Sequence, residues 1–190
     1  MQFLIFIVLT SIQIYISILL LLVWMQWVKA DLYNPFFQFI IKVTKSTVGP
    51  FRRFIPAIST IDTATLLVAY ILTVANILFI MLATNTLALI SVTLLPLSFI
   101  QLLNYSGKLV FCLILMRAIL SWVGQGRQHI DYMLIQLTEP LILPIRRIVP
   151  PIGGVDFSSM IIMLLLIALN YLRLDILLFI DPIITNILFR

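Results

Sequence analysis

The sequence predicts an all-α integral membrane protein of two tandem repeats, each with two transmembrane helices flanking a cytoplasmic interfacial amphipathic helix and a Pro-x-Arg-Arg-x-x-Pro loop. Three observations predict it. First, 63% of the 190 residues are hydrophobic at a mean hydropathy of +1.20, more apolar side chain than a soluble core of this length can hide. Second, residues 1–28 and 63–107 are uncharged runs, each longer than the ~20 residues a helix needs to cross a bilayer. Third, PFRRFIPAISTID at 50–62 returns as PIRRIVPPIGGVD at 144–156, so that Pro50, Arg52, Arg53, Pro56 and Asp62 recur as Pro144, Arg146, Arg147, Pro150 and Asp156.

Taken in order, residues 1–28 read as a retained spanning helix. They have neither the basic start nor the small-residue cleavage site of a signal peptide, and Trp24 and Trp27 stand where interfacial anchors belong. Asn34-Pro35 then starts a helix, since Asn accepts from free N–H groups and Pro suits the first turn. Phe36, Phe39, Ile40 and Val43 repeat at helical spacing, as do Ile130, Met133, Leu134 and Leu137 in the second copy. Both segments are too short and polar-edged to span, and are expected to lie along the membrane interface. Asp62 and Asp156 stand just before the spans 63–84 and 157–174. A carboxylate there caps a helix by meeting its unpaired N–H groups.

The net charge of +5 is gathered rather than spread. Lys29, Lys42, Lys45, Arg52 and Arg53 fall in one segment and Arg127, Arg146 and Arg147 in another, which is not the layout of a nucleic-acid surface. If positive segments stay in the cytoplasm, an even number of crossings separates them. Four spans result, near 1–28, 63–84, 103–123 and 157–174, with both termini outside and the copies related by an axis along the membrane normal. The domain reading is 1–84 for the first repeat, 85–102 for a connecting segment containing Asn85 and Pro96, and 103–190 for the second repeat with its tail.

The doubled Pro-x-Arg-Arg-x-x-Pro with Asp six residues on, each preceded by an apolar helix ending in Gln26-Trp27 or Ser121-Trp122, resembles the YggT family of small membrane proteins. The match covers roughly residues 20–170. The resemblance implies a multi-pass protein of the bacterial inner membrane. It also implies roles linked to envelope and osmotic stress, division or assembly of membrane complexes, without an accepted reaction. Arg117 departs from the repeat, because its counterpart in the first copy is Leu22.

The four arginines Arg52, Arg53, Arg146 and Arg147 are candidates for binding anionic lipid headgroups or a partner, Arg being a fixed fork of donors. Pro50, Pro56, Pro144 and Pro150 would hold them at a set angle. Arg117 is within reach of snorkelling to the interface, with a pore-lining role as the competing reading. Asn76 and Asn170 each stand fourteen residues past their copy's aspartate and are expected to hydrogen-bond between packed helices. Lys45 and Glu139 occupy equivalent positions with opposite charge, which would dock one interfacial helix on the other.

Cys112 and His129 are single, which excludes an internal disulfide and any multi-His or Cys metal site. No Gly-rich phosphate loop or partnered nucleophile occurs. No cofactor or catalytic residue is expected, and an enzyme is the least favoured class. The reading is a scaffold or assembly factor contacting lipids and other envelope proteins, with a small oligomeric transporter or channel as the alternative.

Overall fold

Hydrophobic length decides the architecture. The computed structural model describes residues 2–31, 33–55, 61–84, 93–123, 128–149 and 157–180. Among them run six helices and no strand: α1 Gln2–Trp27, α2 Pro35–Arg52, α3 Thr63–Ala83, α4 Leu94–Val123, α5 Gln128–Ile148 and α6 Phe157–Ile180. Four are long and apolar enough to cross a membrane, over Phe3–Trp27, Thr63–Ala83, Leu94–Leu120 and Ser158–Phe179. The amphipathic α2 and α5 lack such a stretch. Many large apolar side chains of the four long helices are exposed, as a lipid-facing surface requires.

Two helix bounds differ from the sequence reading. α4 begins at Leu94, so residues 94–102 are helical rather than connecting. Pro96 falls in the first turn, where the N–H it lacks would have had no intrahelical partner. α6 runs on past 174 to Ile180, because the polar Arg173 does not end it. The guanidinium instead donates to Asn170 Oδ1 and to Gln101 Oε1 on α4, each at 3.2 Å.

Local caps set where two helices start. Asn34 Oδ1 accepts from the backbone N–H of Phe36 at 3.0 Å with Pro35 in the first turn. Asp62 caps α3, accepting from the N–H of Thr65 at 3.3 Å and its hydroxyl at 2.7 Å.

α1 packs on α2 and α3, and α4 on α5 and α6; the halves meet where α4 contacts α1 and α3. One buried cluster joins Ile16, Leu19 and Leu20 of α1 to Ala64, Val68 and Ala69 of α3 and to Leu102 and Tyr105 of α4. Another joins Leu21, Leu22 and Met25 at the end of α1 to Phe37 and Ile40 of α2 and Leu137 of α5. The Trp24 indole N–H donates to the Leu137 carbonyl at 2.9 Å, so α2 and α5 sit at the same end of the bundle. Trp24 is thus a clamp between helices rather than the interfacial anchor expected. Trp27 stays half-exposed, its ring centroid 4.9 Å from that of Trp24.

Buried hydroxyls follow the rule that polar groups in lipid must find partners. Thr73 and Ser98 each donate to the carbonyl four residues back. Asn76, fully buried, ties three helices together: it accepts from the Tyr105 hydroxyl of α4 at 3.4 Å and donates to the Leu9 carbonyl of α1 at 3.5 Å.

Candidate functional site

The site is the end of the bundle where both arginine pairs gather. Neither pair lies in a loop, as the sequence reading had it. Arg52 is the last residue of α2, Arg53 follows in its C-terminal turn, and Arg146 and Arg147 lie in the last turn of α5. The helices run through Pro50 and Pro144 because both stand one turn from the C-terminus on an exposed edge, where a lost backbone bond is replaced by solvent. Cations there also meet the negative end of the helix dipole, a gain of about 0.3–1 kcal/mol on a surface.

Within each pair the two arginines face different ways. Arg52 turns inward, its Nε donating to Asp62 Oδ2 at 2.7 Å and its Nη2 standing 2.6 Å from the same oxygen. Arg146 Nη1 lies 3.6 Å from Glu139 Oε1, two helix turns earlier on the same helix, α5. Arg53 and Arg147 are exposed, and each is followed by an exposed apolar residue, Phe54 at 85% and Ile148 at 80%. An Arg-apolar dipeptide at a helix end offers a guanidinium to a phosphate and a side chain to acyl chains.

Asp62 is the hub of the first copy. Besides Arg52 and Thr65, its backbone N–H donates to Gln26 Oε1 at the end of α1, at 3.0 Å. Burial raises the carboxyl's pKa, but the Thr65 and Arg52 bonds and the Arg52 charge more than offset that and hold it below the ordinary 3.8. Stability from Asp62 is therefore present above that value and is lost as pH falls through the lowered one.

Glu139 is the hub of the second. Its Oε2 accepts from Arg117 Nη1 at 2.9 Å, and the same nitrogen donates to the Thr138 hydroxyl at 2.7 Å. Thr138 in turn donates to the Leu134 carbonyl at 2.6 Å. Arg117, with its side chain 15% exposed, thus bolts α4 to α5. This also overturns the docking of Lys45 on Glu139. Lys45 is exposed, while the Glu139 carboxylate is engaged by Arg117 and Arg146. α2 and α5 instead contribute to one apolar cluster, Phe37 and Ile40 with Leu137, around the end of α1.

Asn76 and Asn170 do not match. Asn76 is buried between helices, whereas Asn170 is exposed on α6 and accepts from Arg173. Cys112 is exposed on α4. Pro56, Pro150 and Asp156 lie outside the described residues. The sequence reading missed Gln26, Thr65 and the double role of Glu139. Only Thr65 left a signal, the Asp-x-x-Thr spacing of a capping residue and its third neighbour.

The sequence pattern of the family described as CCB3/YggT matches over residues 1–83 and again over 96–177. The chain is 48% identical over 170 residues to the uncharacterized protein YggT of Escherichia coli K12, covering 90% of this chain and 88% of that one. An uncharacterized protein of the proC 3′ region in Vibrio alginolyticus is 45% identical over 172 residues, 90% and 93% of the two chains. An uncharacterized protein of Haemophilus influenzae is 35% identical over 161 residues, 84% and 85% of the two. No solved structure matches. With both segments matched and relatives similar along most of their length, the chain belongs to the CCB3/YggT family.

Proposed function

We propose that the chain is a non-enzymatic scaffold or assembly factor of the bacterial inner membrane. It serves envelope homeostasis, whether osmotic or extracytoplasmic stress tolerance, division or biogenesis of membrane complexes. Its two halves act as parallel repeats with both interfacial helices on the cytoplasmic side. The observation that carries this reading is the split within each arginine pair. Arg52 and Arg146 are held by carboxylates of the chain itself, so they fix the ends of α2 and α5. Arg53 with Phe54 and Arg147 with Ile148 are left outward, a pair of like contacts for anionic headgroups or for an acidic membrane partner. Each basic residue near an anionic surface adds about 1 kcal/mol.

The test is affinity capture of the solubilised protein from its own membranes, in wild-type form and with Arg53 and Arg147 replaced by Gln. A stoichiometric membrane-protein partner retained by the wild type and lost by the double variant supports the scaffold. Ion or osmolyte flux through liposomes of the purified chain, with no partner captured, overturns it in favour of transport.

A further inference from the structure

Away from the arginine end, α4 and α6 part to leave a groove of about 500 Å³, walled by apolar side chains such as Leu103, Phe111 and Leu166. Four polar residues interrupt that lining: Asn104, Lys108, Asn170 and Arg173. Lys108 stands near the middle of the Leu94–Leu120 span, and Arg173 in the half of the Ser158–Phe179 span remote from the arginine pairs. The lining holds two cations and no carboxylate. Ionisable groups at such depth are costly, and where they occur they mark sites of function.

Two further observations point to a ligand. Asn104 is 8% exposed and its amide Nδ2 is buried without a hydrogen-bond partner, although a buried donor left unsatisfied is costly. Arg173 is oriented by Asn170 and Gln101. Gly107 also lines the groove, and a Cβ placed there would meet nothing within 4 Å. A residue that weakens a helix relative to Ala here leaves the groove its width. The volume falls in the ~300–1,000 Å³ range of small-molecule sites, whose few polar groups fix orientation within apolar walls.

We propose that the α4–α6 groove binds an anionic amphiphile, its acidic group held by Lys108, Arg173 and the Asn104 amide and its hydrocarbon chain lying along the apolar walls. The acid is a carboxylate or a phosphate, carried by a free fatty acid or by an anionic phospholipid. This site is separate from the exposed arginines and does not depend on the scaffold reading.

The probe is tryptophan quenching. Phe111→Trp places a reporter in the groove, while the native Trp24 and Trp27 lie at the other end of the bundle and Trp122 is replaced by Phe in every protein compared. The purified full chain in neutral detergent is titrated with dibromostearate, its methyl ester, dibromo-phosphatidylglycerol and dibromo-phosphatidylcholine. At least one acid should reach half-quenching at about tenfold lower concentration than its uncharged or zwitterionic counterpart, the worth of roughly one charge-assisted hydrogen bond. Preference for the stearate alone identifies a single-chain acid, and preference for phosphatidylglycerol alone identifies a bilayer lipid. Lys108→Gln and Arg173→Gln should each remove most of the preference. Gly107→Leu, for which there is room, should block quenching by every probe without unfolding the chain. Equal quenching by acids and their counterparts in the otherwise unaltered chain overturns the site, as does full preference in both Gln variants.

Discussion

Arg117 of α4 and Glu139 of α5 form an ion pair, Nη1 to Oε2 at 2.9 Å, at positions where the first copy has Leu22 and Lys45. Leu22 is buried and Lys45 is exposed. Both copies hold their amphipathic helix by apolar packing and the second adds a charge pair, around equivalent buried threonines, Thr44 and Thr138, that each donate to the carbonyl four residues back.

That difference predicts a double-mutant result. Glu139→Gln leaves Arg117 with little but Thr138 and should destabilise by about 2–3 kcal/mol, below the ~3–5 kcal/mol of a fully buried pair because both side chains keep some exposure. Adding Arg117→Leu, the first copy's residue, should recover most of the loss, since an apolar replacement leaves no orphaned charge. Thermal unfolding in detergent reads both. A double variant no more stable than Glu139→Gln would remove the pair from the account.

Asp62 predicts an acid-dependent stability. Asp62→Asn keeps a capping oxygen but removes the carboxylate charge facing Arg52, and should cost about 0.5–1 kcal/mol at neutral pH because Arg52 is 40% exposed. The gap between wild type and variant should shrink as pH falls below 3.8, the carboxyl's ordinary value, as protonation removes what the mutation removed. A gap that stays constant from pH 7 to 3 would argue against it.

The two arginines of a pair should respond differently to Lys. Arg52→Lys keeps the charge but loses the Nε and Nη2 donors facing Asp62 Oδ2, and should lower stability by about 0.5–1 kcal/mol. Arg53→Lys should leave stability within ~0.5 kcal/mol, as expected of an exposed side chain. In flotation assays with anionic vesicles, Arg53→Gln with Arg147→Gln should weaken the association of detergent-depleted protein in a salt-sensitive way. Equal losses at Arg52 and Arg53 would contradict the split.

Sidedness can be read from a reporter fused after Arg190. With the arginine end cytoplasmic, the far end of α6 is outside, and only a reporter active in the periplasm should give signal. A cytoplasmic signal would falsify the four-span orientation.

Helix type and span count were legible in the sequence because they depend on local properties: apolar length for α1, α3, α4 and α6, and the Asn34 and Asp62 caps for α2 and α3. The phase of α2 was not. Spacing put Phe36, Phe39, Ile40 and Val43 on one apolar face, yet of these only Ile40 is buried, together with Phe37, Thr44 and Val48, while Phe36 and Phe39 are exposed. On a helix with lipid on one side and protein on the other, apolar side chains suit both, so periodicity alone cannot choose between them. The arginine partners were equally hidden. Arg117 and Glu139 are twenty-two residues apart in sequence, and nothing local marks that separation as a contact. The groove cations Lys108 and Arg173 escaped notice because they are sixty-five residues apart in sequence, and only the packing of α4 on α6 brings them to one groove.

The bond from Trp24 to the Leu137 carbonyl spans 113 residues of chain, which sets an order on biosynthesis. α1 is made first, but the partner of its indole N–H does not exist until α5 has left the ribosome. Until then, the end of α1 must satisfy that donor with water or a lipid carbonyl. The same delay applies to the buried cluster that Leu137 completes with Phe37 and Ile40. Closing so long a connection carries an entropic cost that grows only slowly with length; anchoring both ends in one membrane spares the chain much of the search. The nascent protein therefore waits with an open seam at its arginine end, and the arrival of α5 shuts it.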